Sequence, residues 1–174
     1  MRDNLRFPRS AFQDFSELAQ GEMRPLGIGS VIEHSLGRNA MTANGLITIE
    51  SRNGPEETMN RFEAEVRARG MTVFAHIDHA AGATAAGLPL RPTELLIFGN
   101  AKTGTPLMQS NQMIGIDLPL KTLVWQDASG TTWLSYNDPA FLAHHHGVDG
   151  ANDTTVNAMA AALQAIASKA TTAT

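Results

Sequence analysis

The sequence contains no cysteine, and this absence removes several kinds of chemistry. Disulfide frameworks, cysteine nucleophiles, iron–sulfur clusters and cysteine-based zinc sites all require the thiol or the thiolate. Haem attached through a Cys-x-x-Cys-His motif is excluded for the same reason. Any cofactor or metal site in this chain therefore has to rest on other side chains, and histidine is the first candidate.

An excess of basic charge is also missing. The 174 residues include 13 Lys plus Arg and 17 Asp plus Glu, for a formal net charge of −4. Proteins that bind nucleic acids or anionic membranes usually carry a basic face, so neither partner is expected. No apolar run approaches the roughly 20 residues of a membrane span. The N-terminus lacks the apolar stretch of a signal peptide, which favours a cytoplasmic location, or a periplasmic one if a signal peptide has been removed.

Hydrophobic residues make up 43% of the chain, which is enough for one packed core. The length suggests one domain with some chain left over. We expect residues 1–43 to form a partly irregular N-terminal extension, in which Ser10 caps a short helix with an apolar face. Residues 44–170 are expected to form a single α+β domain.

Short runs rich in β-branched and aromatic residues predict five strands in this domain. They are Leu46–Glu50, Met71–Ile77, Leu95–Phe98, Leu120–Gln126 and Thr132–Asn137. The second strand is predicted to place four side chains on one face: Met71, Val73, Ala75 and Ile77. Capping residues and apolar stripes predict helices that follow Asn53, Asp78, Thr105 and Asp138, and a closing helix that carries Val156 to Ile166.

Several short motifs in the same order carry a resemblance to a known family. They are Ile77-Asp78-His79, Leu95-Leu96-Ile97-Phe98-Gly99-Asn100, Gly104-Thr105-Pro106-Leu107-Met108, Gly115-Ile116-Asp117-Leu118-Pro119-Leu120-Lys121, Val124-Trp125 and Trp133-Leu134-Ser135-Tyr136-Asn137-Asp138-Pro139. From about Gly45 to Val148 the sequence resembles the bacterial and archaeal domain of unknown function 302 family. The chain departs from the family at Ala101, where proline is usual, and at His145-His146-Gly147, where Arg-His-Gly is common.

This resemblance implies a fold and no established activity. The implied fold is a two-layer α+β domain with a curved, TBP-like antiparallel sheet in the order β-α-β-β-β-β-α and helices on one face. It also implies that the protein is often a dimer, so a homodimer is expected.

His79 is the first candidate functional residue, because it follows a strand and opens a helix beside Asp78. A helix N-terminus favours the neutral imidazole, which can act as a general base, as a metal ligand or as an axial ligand of haem. The plainer interpretation is that Asp78 caps the helix and His79 makes a structural hydrogen bond. His76 is a poor co-ligand on a strand, and at most one residue of His144–His146 can join a given site.

A second group of candidates follows the strand Leu95–Phe98. Gly99–Thr105 is predicted to be a Gly/Thr turn, which is either an ordinary capped turn or an anion cradle made of backbone N–H groups. In an antiparallel meander this turn lies at the same edge as two neighbouring strand ends. Five side chains are therefore predicted to converge there, with His79 toward the opposite edge: Asn100, Thr103, Thr105, Lys121 and Tyr136.

The sequence leaves several functions open. The first hypothesis is a small-ligand-binding domain whose pocket lies between the curved sheet and the helices and is marked by His79. Methionines such as Met108 and Met113 can line, together with His79, an apolar pocket for a flat cofactor such as haem. The alternatives are a redox or gas-binding protein that holds haem or a metal ion through His79, a hydrolase- or isomerase-like enzyme with His79 as general base, and a dimeric interaction module. Whether any reaction is catalysed is left open.

Overall fold

The computed structural model describes residues 40–173. Within them, six antiparallel strands form one sheet in the order β1-β2-β6-β5-β4-β3. The strands are β1 Ala40–Ala43, β2 Leu46–Ser51, β3 Thr72–Asp78, β4 Thr93–Gly99, β5 Leu120–Gln126 and β6 Thr132–Asn137. The α-helices are α1 Pro55–Ala68, α2 His79–Ala85, α3 Ala101–Ser110, α4 Pro139–His145 and α5 Asp153–Thr171, and short 3-10 helices span Gln112–Ile116 and Gly150–Asn152.

The predicted fold class is confirmed: a two-layer α+β domain with a curved antiparallel sheet and helices on one face. Strand β1 was not predicted, and it pairs with β2 so that Met41 lies opposite Thr48. The sheet therefore includes residues that the sequence assigned to the extension. The helix predicted at Ser10 lies outside the described residues.

One face of the sheet forms the core with α1 and α5. The register places Leu96 opposite Thr122 and Thr122 opposite Tyr136, so these side chains lie in one row. On the same face, Phe98 meets Phe62 of α1 edge to face, with 5.4 Å between ring centroids. The buried apolar residues of the two helices include Met59, Phe62 and Val66 of α1 and Val156, Met159, Leu163 and Ile166 of α5.

Helix α1 begins as its sequence suggests, except for its cap. Pro55 occupies the first turn and two glutamates follow it, where acidic side chains favour the helix dipole. The N-cap residue is Gly54, so the predicted capping by Asn53 is wrong. Asn53 instead donates from Nδ2 to the backbone oxygens of Ala170, at 2.9 Å, and Thr172, at 3.1 Å. The Asn53 side chain thereby ties the end of α5 to the β2–α1 turn.

Strand β3 contains an irregularity that changes which side chains share a face. Val73 lies opposite Phe98, whereas Ala75 lies opposite Ile97, so the register shifts between them. A bulge of this kind adds one residue to one strand and reverses the alternation beyond it. Val73 therefore faces the helices with Phe98, while Ala75 and Ile77 face the other way. The predicted common face of Val73, Ala75 and Ile77 is wrong for this reason.

Candidate ligand-binding cavity

A cavity of about 510 Å³ lies between α3 and α5, above the end of β4 and the start of β5. Helix α5 presents small side chains to it, Ala158 and Ala162, which leave room between the two helices. The larger apolar residues around it are Met71, Phe74, Met108, Leu118, Pro119, Leu120, Met159 and Leu163. Its polar side chains are Arg69, Asn100, Thr103 and Thr105. The walls are therefore largely apolar with a few polar groups, as is usual for small-molecule sites.

Three of the five side chains predicted to converge do line this cavity: Asn100, Thr103 and Thr105. They come together because α3 begins directly after β4. Asn100 is the N-cap of α3, and its Oδ1 accepts a hydrogen bond from the N–H of Lys102 at 2.9 Å. The predicted turn over Gly99–Thr105 is thus mostly the first turns of a helix, and capping by Thr105 is wrong.

Of the two interpretations of this segment, the backbone hydrogen bonds favour a capped turn over an anion cradle. The N–H of Lys102 is occupied by the Asn100 side chain, and the N–H groups of Thr103 and Gly104 donate to the Asn100 carbonyl at 3.0 Å. These amides therefore have partners inside the helix cap. What remains at the cavity are side-chain groups, in particular the amide nitrogen of Asn100 and the hydroxyl of Thr105.

The other two predicted residues, Lys121 and Tyr136, do not line the cavity and lie on opposite faces of the sheet. Tyr136 pairs with Thr122, so its side chain enters the helix face, whereas Lys121 pairs with Ile97 on the other face. Lys121 and Thr122 are adjacent in β5 and therefore point to opposite faces of the sheet. Because Tyr136 shares a face with Thr122, the side chain of Lys121 cannot lie beside that of Tyr136. Lys121 Nζ instead lies 3.4 Å from the carbonyl oxygen of Ile116. The predicted convergence of all five side chains is therefore wrong.

Tyr136 is a core residue with an unusual hydroxyl. It is 3% exposed, and its hydroxyl makes no hydrogen bond to any of the described residues. The buried hydroxyl of Thr122 beside it likewise makes no hydrogen bond to any of the described residues. Burial, and to a smaller extent the charge of Asp138, raise the pKa of Tyr136 from 10.0 to about 12. Tyr136 therefore stays neutral at physiological pH.

His79 occupies the predicted strand-to-helix junction, at the opposite end of the strands from the cavity. It is the first residue of α2 and is exposed, and the Asp78 side chain caps this helix by accepting from Ala81 N–H at 2.8 Å. Asp78 lies opposite Glu94 near the start of β4, while Asn100 follows the end of that strand. The chain from Glu94 to Asn100 advances by six residues, which corresponds to about 20 Å of extended strand between the His79 end and the cavity end. His79 is not among the residues that line the cavity.

His76 lies on the helix face of the sheet, and its ring contacts two carboxylates there. Its Nε2 lies 2.7 Å from Glu94 and its Nδ1 lies 3.4 Å from Glu63 of α1. Both ring nitrogens therefore face acidic partners, which links α1 to the edge of the sheet. Among residues 40–173, no group of three or more His, Asp or Glu side chains is arranged to hold a metal ion.

The sequence did not indicate a histidine–aspartate pair at His144–His146, of which at most one residue was expected to join a given site. His144 and His145 are exposed, but the side chain of His146 is 9% exposed and its Nε2 lies 2.7 Å from Asp117. The backbone oxygen of His146 also accepts from Asn111 Nδ2 at 2.6 Å. His146 and Asp117 both belong to segments that carry the family resemblance, and that was the available signal for their pairing.

The sheet face opposite the helices carries a partly exposed apolar surface, the outer face. Its side chains include Ile77, which is 38% exposed, and the half-buried Leu95 and Leu123 beside it. Trp125 and Trp133 stack on it, with 6.1 Å between ring centroids.

Comparison with known proteins identifies the family. The model of the family described as Domain of unknown function DUF302 matches residues 47–166, so the chain belongs to this family. The crystal structure of an uncharacterized conserved DUF302 protein from Bacillus stearothermophilus has the same fold, with a TM-score of 0.65 at 23% identity. The match covers 74% of this chain and 99% of that one.

Curated relatives with higher identity carry the name of an ion channel. The chain is 50% identical over 116 residues to fluoride-specific ion channel FluC 1 of Brucella suis, which covers 67% of this chain and 46% of the relative. Fluoride-specific ion channel FluC 2 of Brucella melitensis matches at the same identity, with 43% of its length covered. The chain thus spans less than half the length of these relatives. Within the described residues, no helix is long and apolar enough to cross a membrane.

Proposed function

We propose that this member of the domain of unknown function 302 family binds a small, largely apolar molecule in the cavity between α3 and α5. The observation that carries the proposal is the cavity itself, at about 510 Å³ with mainly apolar walls. Small-molecule sites typically have volumes of roughly 300–1,000 Å³ and a few polar groups that orient the ligand. Asn100, Thr103 and Thr105 supply such groups here.

The cavity walls also contain flexible side chains, which can adapt to the shape of a ligand. Met71, Met108 and Met159 contribute flexible thioether side chains that adapt to irregular shapes. Leu163 and Met159 belong at once to the cavity wall and to the buried core, so the ligand would rest on the main core of the domain. Phe74, at 58% exposed, covers the part of the cavity that meets the solvent.

Helix α5 offers a matched pair of substitutions that tests the proposal. Ala162 lines the cavity, while its neighbour Ala161 is exposed. We expect Ala162→Phe to fill the space between α3 and α5 and abolish binding of Nile red, a neutral apolar dye, as measured by fluorescence titration. Ala161→Phe should bind the dye like the unchanged protein. Equal dye binding by both variants would contradict the proposal, provided that circular dichroism shows both to be folded.

Native mass spectrometry of the purified protein gives a second readout that needs no chosen probe. The proposal expects a retained molecule, or a mass shift on adding a compound library, that is lost in Ala162→Phe and kept in Ala161→Phe. A ligand that binds the folded state also raises the apparent melting temperature.

The functions assigned to His79 stay predictions. Its exposure at the N-terminus of α2 makes the imidazole accessible to haem, to a metal ion or to a substrate proton. Titration with hemin tests the first of these roles. A Soret band that is lost in His79→Ala supports His79 as a haem ligand, and an unchanged spectrum rules out that role. The expected compartment, cytoplasmic or periplasmic, likewise stays a prediction.

A homodimer is a second candidate arrangement, and the outer face is the observation that favours it. We propose that two copies pack these faces together, as stacked sheets do at about 10 Å separation. Leu123→Lys places a charge at the centre of the face and should convert a dimer to a monomer in sedimentation equilibrium. A monomeric unchanged protein, or a dimer that Leu123→Lys leaves intact, would refute this arrangement.

The names of the Brucella relatives favour a further partner. Because those proteins are named as fluoride channels and this chain matches less than half of their length, we propose that the domain acts beside such a channel. Binding of the purified chain to the Brucella suis channel in nanodiscs tests this by biolayer interferometry. Absence of binding at the highest soluble concentration of the chain would contradict it.

A further inference from the structure

Arg69 is the one charged side chain among the described residues that line the cavity. It is the C-cap residue of α1, and its side chain is 35% exposed, so Arg69 contacts the solvent as well as the cavity. A single cation beside an apolar cavity restricts the charge that a ligand can carry there. The class of ligand that this charge selects depends on the proposed function of the cavity.

The partners of Arg69 leave much of its charge uncompensated. Glu65 lies 3.9 Å from Arg69 Nε, at the limit of an ion pair. The same carboxylate receives two hydrogen bonds of 3.1 Å from Lys169 Nζ of α5. Two cations therefore share one carboxylate, and the closer of the two is the lysine. The group of three side chains carries a formal charge of +1, which favours one negative charge at the cavity mouth.

The neutral polar groups of the cavity are compatible with an acid group as well. The Thr105 hydroxyl makes no hydrogen bond to another of the described residues, and the Asn100 side chain caps α3 through its oxygen, which leaves the amide N–H₂ as a donor. Both are donors, as an oxyanion requires. None of the described residues that line the cavity is acidic, so no negative charge opposes an anion there.

We propose that the ligand is an amphiphilic monoanion: an apolar body that lies between α3 and α5 and one carboxylate that pairs with Arg69. Arginine suits this role because its planar guanidinium donates two parallel hydrogen bonds to a carboxylate. The apolar body is held by the methionine and leucine walls, and the carboxylate fixes its direction in the cavity. Neutral and cationic molecules of the same shape lack the second interaction.

Three probes with one alkyl chain and different heads test the charge preference: decanoate, decanol and decyltrimethylammonium. Each is titrated against bound Nile red, and its dissociation constant is measured. We expect decanoate to bind about tenfold more tightly than decanol, because a charge-assisted hydrogen bond contributes more than a neutral one. The difference is limited to this size because Arg69 is partly solvated. Raising the salt concentration should weaken decanoate and leave decanol unchanged.

A matched pair of charge variants locates the interaction. Arg69→Gln should remove the preference for decanoate over decanol. Arg67→Gln loses the same charge two residues away, from an exposed side chain paired with Glu63, and should keep the preference. If Arg67→Gln removes the preference equally, the effect is overall charge rather than contact with Arg69, and the inference is overturned.

The remaining outcomes separate this inference from the proposed function. Equal binding of decanoate and decanol, tighter binding of the cationic probe, or no binding of any probe overturns the monoanion while Ala162→Phe still blocks Nile red. If Ala162→Phe also fails to block the dye, the cavity is not a binding site and both proposals fall.

Discussion

The two ends of the central strands differ in what surrounds them. At the end of β4 and the start of β5, the chain places α3 and α5 over the strand ends, and a half-open cavity lies between them. At the other end, β3 runs into α2, whose residues are mostly exposed, with none buried. The sequence favoured the second end because His79 is a chemically versatile side chain. In the structure, the cavity lies at the first end.

The difference shows that a reactive residue type and a binding site are separate properties. A ligand loses contact with water only where elements distant in sequence approach each other, and here these are α3 and α5. Small side chains at Ala158 and Ala162 matter more for that than any titratable group. His79 has the chemistry without the enclosure.

The largest expected effect is a difference in the free energy of unfolding between substitutions at the cavity end and at the His79 end. Leu163 is 1% exposed and belongs to both the core and the cavity wall, so Leu163→Ala should lower the free energy of unfolding by about 2–5 kcal/mol. His79→Ala, at an exposed position, should change it by less than about 0.5 kcal/mol. Urea denaturation measures both. Comparable losses would show that the His79 end is packed as firmly as the cavity end.

The next effect tests whether Tyr136 belongs to the core rather than to a site. Its folded pKa of about 12 lies above the ordinary value of 10.0, so the folded state keeps a proton that the unfolded chain releases. The stabilisation is therefore complete below pH 10 and is lost as the pH rises toward 12. At pH 11 the loss is about 1 kcal/mol, at roughly 1.4 kcal/mol per pKa unit.

The matched variant is Tyr136→Phe, which lacks the titrating hydroxyl. It should be neutral or stabilising at pH 7, since the hydroxyl is buried without a protein partner. It should also lose less stability than the unchanged protein between pH 9 and pH 11, values chosen around the titration range. Parallel pH profiles of the two proteins would show that Tyr136 titrates normally.

A smaller effect compares the helix caps at the two ends. Asn100 caps α3 and Asp78 caps α2, each by accepting a backbone N–H. Replacing either by Ala should cost about 1 kcal/mol, and the Ser variants should recover most of it. Only Asn100→Ala should also weaken Nile red binding, because α3 forms a wall of the cavity. Weakened binding in Asp78→Ala alone would reverse the comparison.

Much of the fold follows from local sequence signals. The stripe Met59, Phe62 and Val66 predicted α1, and apolar runs predicted the five longer strands. Strand β1 was missed because Ala40–Ala43 has little intrinsic β preference, and its conformation comes from pairing with β2. The start of α3 was misplaced because Asn100 and Thr105 are both good caps. Pro106 suggested the later one, although the structure holds it inside the helix.

The grouping of site residues was less predictable, because it depends on register. Lys121 and Tyr136 were expected together, but the β5–β6 pairing sets Tyr136 opposite Thr122, and a one-residue difference reverses the face. The bulge between Val73 and Ala75 has the same effect in β3. No sequence signal pointed to Arg69, since its position beside the cavity arises only when α1 ends next to α5.

The most direct test of the account is an NMR titration of the isotope-labelled protein with decanoate, following backbone amide resonances. We predict saturable shifts in α3 and α5, at Thr103, Gly104, Ala158 and Ala162, and no comparable shifts over residues 77–85. Saturable shifts confined to residues 77–85, with the cavity resonances unmoved, would contradict the central claim and return His79 to the first place.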